Sequence, residues 1–182
     1  MGNRSTKNKL DGKEIEWNST KRTGGGTNFT PGPSGPSGYR YVKWVITDLK
    51  NFSTANSVQV SEFSLRNGGS NLSMSGATVT NPGGNTPATE GPEKLIDSST
   101  STKFLDFNIK SSPFTSTLIF DMGSATVFDG YQWATANDVE ERDPKSWTIS
   151  GSNDNVSYTT LHTVTGFTAT SARQTYQTAQ TF

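Results

Sequence analysis

The chain has 182 residues, with 16 basic and 16 acidic side chains and no cysteine. A net charge of zero removes the strongest argument for nucleic-acid binding, because phosphate contacts require a basic face. The lack of cysteine excludes disulfides and thiolate metal sites. No apolar run approaches the roughly 18 residues of a membrane span. The N-terminus also lacks the apolar stretch of a secretory signal, so we expect neither a transmembrane segment nor a signal peptide.

Residues 1–38 differ in composition from the rest of the chain. Gly, Pro, Ser, Thr and Lys dominate this segment, and its few large apolar side chains are widely spaced. A segment so poor in apolar residues gains little free energy by folding back on its own domain. We therefore predict an extended arm or linker that binds other protein subunits of an assembly. Its expected anchors are Leu10, Ile15, Trp17 and Phe29.

The first residues, MGNRSTK, fit the N-myristoylation pattern Met-Gly-x-x-x-Ser/Thr. A single myristoyl chain binds membranes weakly, so Lys7 and Lys9 would have to strengthen the attachment. Myristoylation requires the removal of Met1, which this chain retains. We therefore expect the motif to be unmodified.

From residue 39 onward, short segments rich in β-branched and aromatic residues alternate with clusters of Gly, Asn, Asp and Pro. The first, YVKWVITDL, places Val42, Trp44 and Ile46 on one face, which is typical of a half-buried strand. Later segments of this kind include VQVSEFSLR, STLIFDM, VFDGYQWATA, KSWTISGS and YTTLHTVTGF. No segment shows a sustained helical stripe, so residues 39–182 are predicted to form an all-β domain, an antiparallel β-sandwich or jelly roll. Three tryptophans are expected in its core: Trp44, Trp133 and Trp147.

Several of these segments resemble the discoidin domain, also called the coagulation-factor C-type domain, a family that includes the family 32 carbohydrate-binding modules. The resemblance is carried by LIDSSTSTKF, LIFDMGSATVFDGYQWATAND, RDPKSWTISGSNDNVSYTTLHTV, RYVKWVITD and VQVSEFSL, which together cover most of residues 39–182. It implies a galactose-binding-like jelly roll that binds ligands without catalysing a reaction.

The order of these segments departs from the family pattern. RYVKWVITD and VQVSEFSL come first in this chain, whereas their counterparts come last in the usual domain. The order therefore resembles a circular permutation, which a jelly roll tolerates when its termini are close. A permuted order predicts that residues 40–48 lie in a sheet beside a strand from residues 168–182.

The polar run in LIDSSTSTKF lies between apolar neighbours and carries more oxygen atoms than a turn requires. In many discoidin domains the corresponding loop binds a structural calcium ion, which prefers six to eight hard oxygen ligands. The ligands implied by the resemblance are the Asp97 and Glu62 carboxylates, the Thr102 hydroxyl, and the backbone carbonyls of Ser61, Lys94, Ser99 and Thr102. The alternative is an Asx or ST turn, in which Asp97 and the hydroxyls bond their own backbone.

A second polar loop, TANDVEERDPKSW, concentrates several charged residues. Because its carboxylates are nearly consecutive, they do not suit the opposed pair that glycoside hydrolysis needs, and the chain's single histidine gives no catalytic triad. The resemblance makes the loop a candidate ligand contact through Asn137, Asp138 and Arg142. The alternative is a solvated loop in which Arg142 forms an internal ion pair.

These observations favour a non-enzymatic structural and binding module over an enzyme. The first hypothesis is a surface protein of a virion or other large assembly, such as a capsid-accessory protein. Its arm would dock it to the assembly, and the β-domain of residues 39–182, called the head below, would be displayed and could bind glycans. The second is a free-standing, calcium-dependent carbohydrate-binding module that serves in recognition or cell adhesion.

Overall fold

A computed structural model describes residues 8–10, 13–15 and 38–182 of the chain. These residues form β-strands and three short 3-10 helices, Pro92–Ile96, Phe107–Lys110 and Glu140–Arg142. In chain order the strands are β1 (Asn8–Leu10), β2 (Lys13–Ile15), β3 (Tyr39–Leu49), β4 (Val58–Val60), β5 (Glu62–Asn67), β6 (Ser70–Asn71), β7 (Thr78–Thr80), β8 (Phe104–Asp106), β9 (Ser116–Thr126), β10 (Gly130–Ala134), β11 (Pro144–Ser152), β12 (Thr159–Val164) and β13 (Gln180–Thr181). In this part of the chain no helix has the length and apolar content needed to cross a bilayer.

Residues 38–182 contain two antiparallel sheets of more than two strands. One sheet has five strands in the order β12-β11-β3-β9-β7, and the other has four in the order β13-β10-β5-β6. A further antiparallel pair, β4-β8, completes the fold. The predicted buried face of YVKWVITDL is present in β3, where Val42, Trp44 and Ile46 are all fully buried.

An aromatic cluster joins the two sheets. The ring of Phe63 on β5 lies 4.5 Å from that of Phe120 on β9 and 5.1 Å from that of Trp44 on β3, measured between centroids. Trp133 and Trp147 are 1% exposed and lie 6.0 Å from each other. The prediction of an all-β sandwich with the tryptophans in its core is therefore confirmed, whereas the jelly-roll connectivity stays a prediction.

The N-terminal region forms a unit separate from the head, with the division between residues 34 and 35. Within it, β1 pairs with β2 in an antiparallel hairpin, in which Leu10 lies opposite Lys13 and Ile15 opposite Asn8. The other two expected anchors, Trp17 and Phe29, lie outside the described residues, as does the myristoylation motif. The extended arm and its contacts with other subunits therefore stay predictions.

The prediction that residues 40–48 lie beside a strand from residues 168–182 is wrong. Strand β3 pairs with β11 along one edge and with β9 along the other, so neither edge is open to another strand. The C-terminal strand β13 pairs instead with β10 in the other sheet, where the ring of Phe182 packs against those of Phe128 and Tyr131. The pairing that would have marked a permuted order is not formed, and we do not pursue that interpretation.

Candidate functional site

Strand β5 carries a buried carboxylate, Glu62. Along this strand Phe63 and Leu65 point into the aromatic core, so Glu62 and Ser64 share the opposite face, as the period of a strand requires. Glu62 is nevertheless only 3% exposed, because the loop that follows the 3-10 helix Pro92–Ile96 covers it. The buried position of this carboxylate defines the candidate site.

The covering loop is held by its own polar groups. Asp97 ends the 3-10 helix, and its Oδ1 accepts from the Ser99 amide at 3.1 Å. The Thr102 hydroxyl donates to Asp97, lying 2.7 Å from Oδ2, and Ser98 adopts a left-handed φ of 64° between them. The Asx and ST turns considered from the sequence are therefore present in the loop.

The same loop also binds β5. The Ser99 amide donates to Glu62 Oε1 at 2.7 Å while it contacts Asp97, so one N–H group joins both carboxylates. Burial raises the pKa of Glu62 to about 7, and the neighbouring Asp97 adds to this rise, whereas the backbone amides of Ser99 and Ser98 oppose it. Within residues 38–182, no lysine or arginine pairs with either carboxylate.

The structure brings together four of the predicted ligand groups: the two carboxylates, the Thr102 hydroxyl and the Ser99 carbonyl, which also accepts from Thr102 Oγ1 at 3.0 Å. The backbone carbonyls of Ser61, Lys94 and Thr102 stay predicted ligands, and the hydrogen bonds of Ser61 and Lys94 involve other atoms. The Ser61 hydroxyl donates to the Thr135 carbonyl at 2.9 Å, and the Lys94 amide donates to the Gly91 carbonyl at 3.1 Å.

The donor set combines two carboxylates with neutral oxygens and has no basic side chain in contact, which is the chemistry that calcium prefers, although the four groups supply six ligands only if both carboxylates bind through both oxygens. Across the described segments, no group of three or more acidic, His or Cys side chains converges on one point. The two carboxylates, Glu62 and Asp97, are therefore the acidic ligands that this loop offers. Occupation of the site by an ion stays a prediction.

The second polar loop is engaged internally. Asp138 accepts from Lys103 Nζ at 2.9 Å through both carboxylate oxygens, and Lys103 is almost fully buried. Arg142 lies 3.5 Å from Gln59 Oε1 and 3.9 Å from Asp138 Oδ1, so the internal pairing of Arg142 is formed, although it is long. Asn137 is exposed. Ligand binding through these residues stays a prediction.

A cavity of about 430 Å³ opens beside Glu62 on the outer face of the four-stranded sheet. Its lining residues come from β5, from the segment that begins at β6, from the Asp97 loop and from the C-terminal region: Glu62, Ser64, Asn71, Leu72, Ser73, Met74, Ser75, Ile96, Ser98 and Tyr176. The sequence gives no sign of this cavity. The alternation of β5 places Ser64 beside Glu62, but no pattern marks Tyr176, which reaches the sheet through an isolated bridge to Ala134.

No family model, no characterised protein and no solved structure matches this chain. The resemblance to discoidin domains therefore stays an interpretation of the sequence, and function must be argued from the geometry of the head.

Proposed function

We propose that the chain is a non-enzymatic structural and binding module, in which a calcium-stabilised β-sandwich head is attached to a larger assembly by residues 1–38. The observation that carries the proposal is the position of Glu62, which is buried beside Asp97 without a basic partner.

The physical argument concerns unpaired negative charge. A desolvated carboxylate raises the free energy of the folded state unless it binds a proton or a cation, and a second carboxylate next to it raises that energy further. When bound, calcium supplies the positive charge that Glu62 and Asp97 lack. Calcium would have to displace the Ser99 amide that now donates to both carboxylates, whereas the Thr102 hydroxyl already contacts Asp97 and the Ser99 carbonyl contacts that hydroxyl.

The calcium half of the proposal is tested by thermal unfolding of the head. A ligand that binds only the folded state stabilises it by about 2.7 kcal/mol at a hundredfold excess over its Kd, so calcium should raise Tm and a chelator should lower it again. Glu62→Gln and Asp97→Asn should abolish the response. Asp154→Asn is the matched control, because the Asp154 carboxylate accepts from its own turn. An identical Tm with calcium and with excess chelator would exclude a bound ion.

The attachment half rests on composition. Within residues 38–182 the buried hydrophobic side chains run from Val42 to Ala169. We propose that residues 1–38 bind neighbouring subunits of a virion or other particle. Deletion of residues 1–30 should leave a folded, soluble head that no longer joins the particle. Assembly of the truncated head at normal occupancy would contradict docking by the arm.

The proposal also includes carbohydrate binding by the head, which the exposed side chain of Asn137 supports. Asp138 and Arg142 already have partners in Lys103 and Gln59, so a sugar would compete with those contacts. A glycan array comparing the wild-type protein with Asn137→Ala tests this part. Equal signals from the two proteins would remove the loop as the binding surface.

A further inference from the structure

The cavity beside Glu62 has an unusual charge pattern. Its walls contain one carboxylate, four serine hydroxyls, one amide and one phenol, and none of the lining residues is Lys, Arg or His. Arg66, which by the period of β5 shares a face with Glu62 and Ser64, donates to the Asn71 side chain, to the Gln132 side chain and to the Gly69 carbonyl, so its charge has acceptors other than Glu62. The cavity therefore presents an acidic wall without a built-in counter-charge.

The carboxylate at this wall has few partners of its own. Glu62 accepts from the Ser99 amide at 2.7 Å, which leaves acceptor capacity on a group that can take about four hydrogen bonds when ionised. An anionic ligand would be repelled here, and a neutral ligand would leave the negative charge uncompensated in a desolvated place. A positively charged group would supply both the missing charge and hydrogen-bond donors.

Other lining residues of the cavity are suited to the same kind of group. Tyr176 is 40% exposed, so part of its ring is open to a ligand, and Met74, Leu72 and Ile96 add apolar surface. Aromatic faces attract ammonium groups through the ring quadrupole, and the thioether of Met is polarisable. A chain of methylenes that ends in an ammonium group would place its charge at Glu62 and its carbons against the apolar wall.

We propose that this cavity binds an alkylammonium group, with Glu62 as its counter-ion and Tyr176 as its aromatic wall. The group belongs either to a small free amine or to a lysine side chain of a partner protein. Because calcium at the Asp97 loop would use the same Glu62 carboxylate, the two cations compete, and each weakens the apparent affinity of the other by the same factor. The inference shares one residue with the calcium proposal but does not depend on it.

The experiment titrates the full-length protein in the presence of a chelator, and chemical shifts of backbone amides report binding. Butylamine, neutral butanol and anionic butyrate have the same chain length and differ in charge. We expect saturable binding of butylamine, with shifts at residues 71–75 and at Ser98 and Tyr176, and no saturation with butanol or butyrate. A capped lysine peptide forms a further arm, and tighter binding of that peptide than of butylamine assigns the site to a partner's side chain.

The variants separate a real site from a general charge effect. Tyr176→Ala should weaken butylamine binding roughly fivefold, whereas Tyr176→Phe should retain it. Tyr158→Ala is the matched control. Tyr158 is a tyrosine whose ring contacts the cation of Lys43, but it does not line the cavity. Glu62→Gln, which keeps the shape of the side chain, should abolish saturation.

The outcomes distinguish the two proposals. Butanol binding as tightly as butylamine, or equal losses in Tyr158→Ala and Tyr176→Ala, would overturn the ammonium site. A rise in Tm with calcium but no butylamine binding in chelator would overturn this inference and leave the calcium proposal intact. Butylamine binding without any response of Tm to calcium would do the reverse.

Discussion

Asp143 is fully buried, and each of its carboxylate oxygens accepts from the guanidinium of Arg173, at 2.6 and 2.7 Å. Burial raises the pKa of Asp143, and the charge of Arg173 opposes that rise. Removing one partner of such a pair strands the other charge in a desolvated place. We therefore predict that Arg173→Ala lowers the free energy of unfolding by about 3 kcal/mol, as measured by urea denaturation.

Two further variants test that interpretation. Arg40→Ala breaks the pair between Arg40 and Asp121, whose side chains are 43% and 27% exposed, so it should cost clearly less than Arg173→Ala because solvent screens an exposed pair. Combining Arg173→Ala with Asp143→Asn should recover part of the loss, because no buried charge then remains. A double variant as unstable as the sum of both single variants would show that the loss comes from packing instead.

Asp154 allows a prediction of pH dependence. Its carboxylate accepts from the amides of Val156 and Ser157 and from the Ser152 hydroxyl, and these bonds lower its pKa to about 2 from an ordinary value of 3.8. A carboxylate whose pKa is depressed by folding stabilises the fold above its unfolded pKa and loses that effect as pH falls through its folded pKa. The wild-type protein should therefore have a higher Tm than Asp154→Asn at neutral pH.

The gap in Tm between these two proteins should close as pH falls from about 4 to about 2. Thermal unfolding followed by circular dichroism over this range measures it. A gap that stays constant across the range would mean that Asp154 acts through the shape of its turn and not through its charge.

At the scale of elements, the C-terminal strand β13 depends on a glycine. Gly130 of β10 lies opposite Thr181, and a Cβ atom at Gly130 would overlap the backbone oxygen of Gln180. Because that oxygen belongs to the main chain, it cannot move aside without moving the strand. Gly130→Ala should therefore detach β13 while leaving the five-stranded sheet intact.

Amide hydrogen exchange measures that effect. Residues 180–182 should exchange faster in Gly130→Ala, including Phe182, whose amide donates to the Asp129 carbonyl, whereas the amides of β3 should keep their protection. Gln180→Ala, which alters a side chain of the same strand and keeps its backbone, serves as the control. Unchanged protection at residues 180–182 in Gly130→Ala would contradict the steric argument.

The elements also show what the sequence could predict. The alternation in β3 predicted its buried face because that face depends on local pattern, whereas the proximity of Glu62 and Asp97, which are distant in sequence, was implied only by the discoidin resemblance. The strand neighbours of β3 could not be derived, since period-2 patterns specify faces and not partners. Tyr176 and Lys103 escaped prediction for a related reason: each contacts residues distant in sequence, Ala134 and Asp138.

At the scale of the whole molecule, the head has one core shared by both sheets. Phe63 stacks on Phe120 of the other sheet and lies 5.8 Å from Tyr131 in its own sheet. Phe63→Ala should therefore lower the free energy of unfolding by about 3–5 kcal/mol. Phe107→Ala, at a side chain that is 38% exposed, should change it by less than about 0.5 kcal/mol.

The shared core also predicts cooperativity. Tryptophan fluorescence and far-ultraviolet circular dichroism should report the same transition in both the wild-type protein and Phe63→Ala. Two separate transitions would mean that the sheets unfold independently, in spite of the aromatic contacts that join them.

The central position of β3 has a mechanical consequence. This strand has eleven residues and pairs along both edges, with β11 and with β9, and its first residue, Tyr39, follows directly on the segment proposed as the tether. Hydrogen bonds in an antiparallel ladder run perpendicular to the strands, so tension that enters the head at residue 38 and acts along β3 loads both ladders in shear, with many bonds sharing the force. A tether joined to β13, which has two paired residues, would instead be peeled away a bond at a time. The proposed N-terminal tether would therefore load the head through a strand that is paired along both edges.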